Sequence, residues 1–195
     1  MESFTIRSLR PNDEDAFNEF RRDVLNFDQQ NPYSQNIVRE LTPATDFTTR
    51  LAVLTADQNP EKPELVPQFA FFMFNSENVI LGRVRCRTEM TPMLARTGGH
   101  FGYHVAPSQR GHGYAKNLLK FALGYYQQRR EPYVIVTAKS ANWASRKTIE
   151  ASGGVLQEIL PGQNTEPLAI YHIQLAAATG ILARRLVDSG LFGAC

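Results

Sequence analysis

The chain has 195 residues, 43% hydrophobic and 21% charged, which suits one soluble globular domain with a real core. Its 21 basic and 19 acidic residues give a charge of +2, and no Lys/Arg-rich run appears, so there is no nucleic-acid footprint. No apolar run reaches the length of a membrane span, no apolar signal segment opens the chain, and the only cysteines, Cys86 and Cys195, make no disulfide framework; these absences favour a cytoplasmic protein.

Residues 3–9 alternate as a short strand, with Phe4 and Ile6 on one face. Pro11-Asn12-Asp13-Glu14 reads as a helix start, with Asn12 or Asp13 as cap and Phe17, Phe20, Val24 and Leu25 as the buried stripe. Residues 28–36 are polar and form a loop. Two helical stretches follow, 34–41 and 44–55, split by Thr42-Pro43, and 57–67 is a proline-rich surface loop. Phe69 to Asn75 and Val79 to Met90 form a hairpin around Asn75-Ser76-Glu77-Asn78. In the second strand Arg83, Arg85 and Arg87 alternate with Val84, Cys86 and Thr88. The arginine face looks to solvent or lines a pocket for an acidic substrate.

The central stretch is HFGYHVAPSQRGHGYAKNLLKFA, residues 100–122. A strand, His100 to Val105, enters a turn with Gly111 and Gly113, and an amphipathic helix starts at 113. Backbone N–H groups at such a turn, with the positive end of the helix dipole, suit a phosphate. A Walker loop is excluded, because Lys116-Asn117 stands where Gly-Lys-Ser/Thr would be needed. A dinucleotide fingerprint fails at Lys116, where its third glycine would fall. Beyond this, 133–139 is an apolar strand and Asn142 caps a helix that Gly153-Gly154 ends. Strands at 155–160 and 168–175 and a terminal helix at 176–187 complete the chain. Strands and helices alternate in this half, which argues for mixed α/β with parallel neighbours around the turn.

Arg110, Gly113 and Ala115 stand as Arg-x-x-Gly-x-Ala, and NWASRKTIEASGG follows at 142–154. Together these resemble the two cofactor segments of the GCN5-related N-acetyltransferases (GNAT), and in particular a bacterial branch of uncharacterised predicted acetyltransferases. The resemblance is carried by residues 80–160. It implies an α/β (α+β) domain over 1–178 with a mixed central sheet of six to seven strands, splayed between 100–105 and 133–139, and a helical tail at 179–195. It implies acetyl-coenzyme A as co-substrate, no metal, and an amine-bearing acceptor. The chain would act as a monomer or homodimer, with neither nucleic acid nor membrane as partner. The pyrophosphate falls to Arg110, Gly111, His112, Gly113, Tyr114 and Ala115. Pantetheine falls to the strand edge at Val105 and to Asn142 and Ser145, and Tyr33 lies on the acceptor side. A non-catalytic acyl-coenzyme A-binding module of the same fold is the alternative.

Where many relatives carry a tyrosine near the sulfur, this chain has Ile149, so Ser145 is the polar residue expected to face the thiolate. A thiol with a pKa near ~8.5 leaves readily, and the amine is the harder partner. A lysine-type amine near ~10.4 is roughly one part in a thousand neutral at pH 7.4, against about a quarter for an α-amine near ~7.8. His100 and His104 alternate on one strand face, and His100, at the open end after Gly98-Gly99, is the expected proton acceptor.

Overall fold

The computed structural model describes residues 3–162 and 166–176. The expected terminal helix at 176–187, the tail at 179–195 and Cys195 lie outside these, apart from residue 176. Among the described residues there are seven strands: β1 Phe4–Arg7, β2 Gln68–Asn75, β3 Ile80–Arg87, β4 Phe101–Val105, β5 Tyr133–Lys139, β6 Val155–Leu160 and β7 Leu168–Gln174. The same residues form six α-helices: α1 Glu14–Phe27, α2 Gln35–Leu41, α3 Phe47–Ala56, a single turn α4 Pro92–Ala95, α5 Tyr114–Gln128 and α6 Trp143–Glu150. The short α4 lies where the sequence suggested only loop.

The strands divide into two sheets, ordered β1-β2-β3-β4 and β5-β7-β6. The expected splay is therefore a full parting: β4 and β5 share no ladder. The expected parallel neighbours are not found, since every ladder among the described residues is antiparallel. The two sheets are pinned at one end of the gap. His100 N donates to Ile135 O at 2.8 Å, and Ile135 N donates to His100 Nδ1 at 2.8 Å. Approach there is close enough that a Cβ on Gly99 would stand 2.4 Å from Ile135 O.

The unbroken apolar run of β2 follows from burial on both faces. Phe72 and Phe74 pack with Phe17, Phe20 and Val24 of α1 and with Ile37, Leu41 and Phe47 beyond. Phe71 and Met73 face the other way, toward Leu118, Leu119 and Ala122 of α5, as do Val84, Cys86 and Phe101. The α1 stripe is as the spacing predicted for Phe17, Phe20 and Val24, with Leu25 packed at the edge of that cluster.

The arginine face of β3 neither looks to solvent nor lines a substrate pocket. Arg83 is 7% exposed and grips Glu40 of α2 with two hydrogen bonds, 2.6 and 2.9 Å long. Arg85 bonds Glu40 at 2.9 Å and Asp57 at 2.7 Å, and Arg50 lies 3.7 Å from Glu40. Burial works against the Glu40 carboxylate, but the three guanidinium charges outweigh it and bring its pKa down to about 2. Arg87 donates to Gly98 O and Gly99 O. The acids that recruit Arg83 and Arg85 lie 28 to 45 residues away in the chain, so strand alternation alone did not reveal them.

Candidate active site

Where the sheets part, a cavity of about 420 Å³ opens, lined by Tyr103, His104 and Val105 of β4, by the turn and first residues of α5, and by Asn142, Ala144, Ser145 and Thr148. Tyr33 and Ser34 close it on the α1–α2 side. A second cavity of about 310 Å³, between α1, the β2–β3 turn and Ser108, holds none of the expected site residues. The larger one collects Val105, Arg110, Gly111, Gly113, Tyr114, Ala115, Asn142 and Ser145.

The turn is built as its glycines required. Gly111 has φ +86° and Gly113 φ +81°, left-handed values that a side chain resists, and nothing lies within 4 Å of where a Cβ on either would stand. The backbone is thus open to a ligand at the N-terminus of α5. His112 is exposed beside it and stacks on Tyr114, ring centroids 5.7 Å apart.

The Arg110 side chain is engaged with a buried acid. Its Nη2 donates to Oδ2 of Asp28, a fully buried carboxylate. Asp28 also accepts from Ser34 Oγ at 2.7 Å and from Asn31 Nδ2 at 2.9 Å. Burial opposes charge on Asp28, yet these bonds hold its pKa below the ordinary carboxylate range. Asp28 thereby ties the turn to the loop that carries Tyr33 and Ser34. Sequence reading missed this hub; its only trace was an Asp in a polar loop, which is unremarkable by itself.

Of the two histidines on this strand, the structure brings His104 and not His100 to the cavity. His100 does not line the cavity. It is 7% exposed, its Nδ1 accepts from Ile135 N, and burial lowers its pKa to about 4. The expectation that it receives the acceptor's proton is therefore corrected: it is a strap between the sheets. The error came from taking the start of the strand for its open end, whereas the sheets join there and part toward Val105. His104 does line the cavity, with Nε2 3.3 Å from Asp28 Oδ2 but not aligned for a hydrogen bond. Burial lowers its pKa to about 4; Asp28 resists that shift, and Arg110 and Arg83 add to it.

On the opposite wall Asn142 caps α6, accepting from Ser145 N at 3.1 Å through Oδ1 and leaving Nδ2 outside the cap. Ser145 Oγ lies 3.0 Å from the phenol oxygen of Tyr103. Ile149, at the position where a tyrosine was absent, is fully buried in the core.

Among the described residues no helix is long and apolar enough to cross a membrane. Comparison with curated proteins finds no match. Among solved structures, the fold is similar to yncA of Salmonella typhimurium, solved with its cofactor acetyl-CoA (17% identity, TM-score 0.62, 91% of this chain and 96% of that one). It is similar to an N-acetyltransferase from Staphylococcus aureus Mu50 (17%, 0.62, 89% and 99%). It is also similar to spermidine N-acetyltransferase from Vibrio cholerae, solved with CoA and spermine (15%, 0.59, 89% and 96%). At these identities the likeness is one of fold. The family model described as an acetyltransferase (GNAT) domain matches residues 3–155, which take in β1 through the glycine turn and α6. The chain belongs to the GNAT acetyltransferase family.

Proposed function

We propose that the chain transfers the acetyl group of acetyl-coenzyme A to a primary amine by direct attack within a ternary complex. The observation that carries this reading is the open glycine turn at the start of α5, facing the gap between β4 and α6. A diphosphate needs N–H donors and positive potential, and a helix N-terminus behind left-handed glycines supplies both. In this reading the backbone N–H groups of Gly111, His112, Gly113, Tyr114 and Ala115 hold the pyrophosphate. Arg110 stands at the edge of this cradle: its guanidinium is engaged with Asp28 and its N–H donates to Pro107 O at 3.4 Å.

Pantetheine is an extended chain with two amides. Val105 lies on the edge strand of the first sheet, and among the described residues that edge has no ladder partner on the gap side. An extended ligand pairs with such an edge as an added strand would. Asn142 Nδ2 meets a pantetheine amide from the other wall. The amine approaches past Tyr33 and Ser34 and attacks as the neutral form, its proton leaving by way of solvent. A backbone N–H near Val105 polarises the thioester carbonyl.

Isothermal titration with acetyl-coenzyme A, followed by mass spectrometry of an amine panel, tests this. Wild type should bind and acetylate at least one amine. Gly113→Val should weaken binding by at least about tenfold, or 1.4 kcal/mol, with the fold retained. Undiminished affinity in Gly113→Val would remove the phosphate assignment. Tight binding with no amine turned over would remove the transfer.

A further inference from the structure

This inference rests on the acyl-transfer reading and concerns the face of β4 on which the acceptor arrives. The two faces of this strand differ. Phe101, Tyr103 and Val105 pack into the core that holds α5, and the Tyr103 phenol lies 3.0 Å from Ser145 Oγ across the cavity. Gly102 and His104 alternate with them and lie on the other face, where His104 meets the Phe20 ring of α1 at 6.4 Å.

Gly102 has no reason in the fold to be glycine. A glycine inside a strand weakens it, and one is kept where a bulge, a left-handed φ or a close neighbour demands it. None of these holds at 102. The β3–β4 ladder runs from Gly82↔Val105 to Cys86↔Phe101 without a register shift. The φ of Gly102 is not left-handed, unlike those of Gly99, Gly111 and Gly113. No described atom lies within 4 Å of where its Cβ would stand, whereas a Cβ on Gly82 would be 2.6 Å from His104 O. The remaining reason for a glycine in a strand is the close approach of a ligand.

The open place above Gly102 has a physical cause. Arg85 is its ladder partner on β3 and has a side chain long enough to cover it. Glu40 at 2.9 Å and Asp57 at 2.7 Å hold that guanidinium instead. Arg87 shows the contrary case, since a Cβ on Gly98 would stand 3.1 Å from its Nη2. Residue 102 is thus exposed in the strand that flanks the gap.

Position ties this opening to the reaction. The coenzyme arm enters at the glycine turn, pairs with β4 at Val105 and advances toward the closed end at His100. The three residues from Val105 to Gly102 span about 10 Å of strand. Tyr103 and Ser145 bridge the α6 side of the thioester. The amine therefore comes from the other face. We propose that Gly102 is the floor of the acceptor site: the chain that carries the amine crosses β4 over its Cα, past Tyr33 and His104. A side chain at 102 would stand where that chain lies, and would leave the coenzyme's edge of the strand untouched.

The test takes glycinamide, an unblocked tripeptide amide and spermidine, and uses any of them that wild type acetylates. Gly102→Ala should lower kcat/KM for the amine about threefold, and Gly102→Leu about tenfold or more, in both cases through a raised KM for the amine. The calorimetric Kd for acetyl-coenzyme A should stay within about twofold of wild type. Tm should not fall in Gly102→Ala, because alanine suits ordinary strand backbone and restricts the unfolded chain. Should Gly102→Leu not fold, the alanine variant alone decides. An unchanged KM for the amine would overturn the proposal. A loss of coenzyme affinity in step with the loss for the amine would overturn it too, and so would a Gly102→Ala variant that does not fold. If wild type binds acetyl-coenzyme A and acetylates no amine, the acyl-transfer reading itself fails and this inference falls with it.

Discussion

Glu40→Gln is the sharpest probe of how the helices are held over β3. Glu40 accepts from Arg83 and Arg85 and lies within 4 Å of Arg50, and Arg83 and Arg50 have side chains only 8% and 9% exposed. Folding lowers the Glu40 pKa from 4.5 to about 2. At 1.36 kcal/mol per unit this corresponds to about 3 kcal/mol of stability at neutral pH. Loss of one partner from a buried pair costs a similar 3–5 kcal/mol or so, because the arginines remain buried without their anion. The sign follows from the direction of the shift. A depressed carboxylate stabilises fully above its unfolded pKa, and that contribution is lost as pH falls toward about 2. The gap between wild type and Glu40→Gln should therefore be widest at pH 7 and fall to less than roughly half by pH 3. Urea denaturation of both proteins at pH 7, 5, 4 and 3 measures it. A gap under about 0.5 kcal/mol at pH 7, or one that does not narrow on acidification, would refute the reasoning.

Three further outcomes are expected. Gly113→Val should lose affinity for acetyl-coenzyme A far more than it loses stability, because its Cβ would meet no protein atom and its left-handed φ costs only about 1–2 kcal/mol; calorimetry and a thermal melt compare the two. His100→Ala should lower Tm by several degrees, through a cavity and an unpaired Ile135 N–H, while the folded enzyme keeps its kcat and pH profile. Asp28→Asn should weaken the tie between the turn and the Tyr33 loop, so hydrogen exchange at 28–35 should quicken. Unchanged exchange there would show that Arg110 and Ser34 do not depend on the carboxylate.

Most element positions were legible because they rest on local patterns. The 3.6-residue spacing of Phe17, Phe20 and Val24, the Asn142 cap and the apolar run at 133–139 each act within a few residues of chain. The glycine turn was legible for the same reason, since left-handed backbone at 111 and 113 is a property of those residues themselves. The arginines of β3 were misread because their acids are remote in sequence, and a charge on an alternating strand looks the same whether water or a carboxylate receives it.

The candidate site divides along the same line. Residue order by itself determined that a strand, a phosphate-suited turn and a helix come together at 100–122, and that a second capped helix begins at Asn142. These are consequences of period, capping and glycine stereochemistry, all local. Only the tertiary structure decided which end of β4 is closed and which is open. That choice depends on His100 meeting Ile135 across the gap, a contact 35 residues apart. It is what removes His100 from the cavity, leaves His104 lining it, and sets Tyr103 against Ser145, 42 residues further along the chain. Hydrogen bonds of a few ångströms between remote residues leave no periodic trace in a single chain, so the chemistry at the gap had to await the packing of the two sheets.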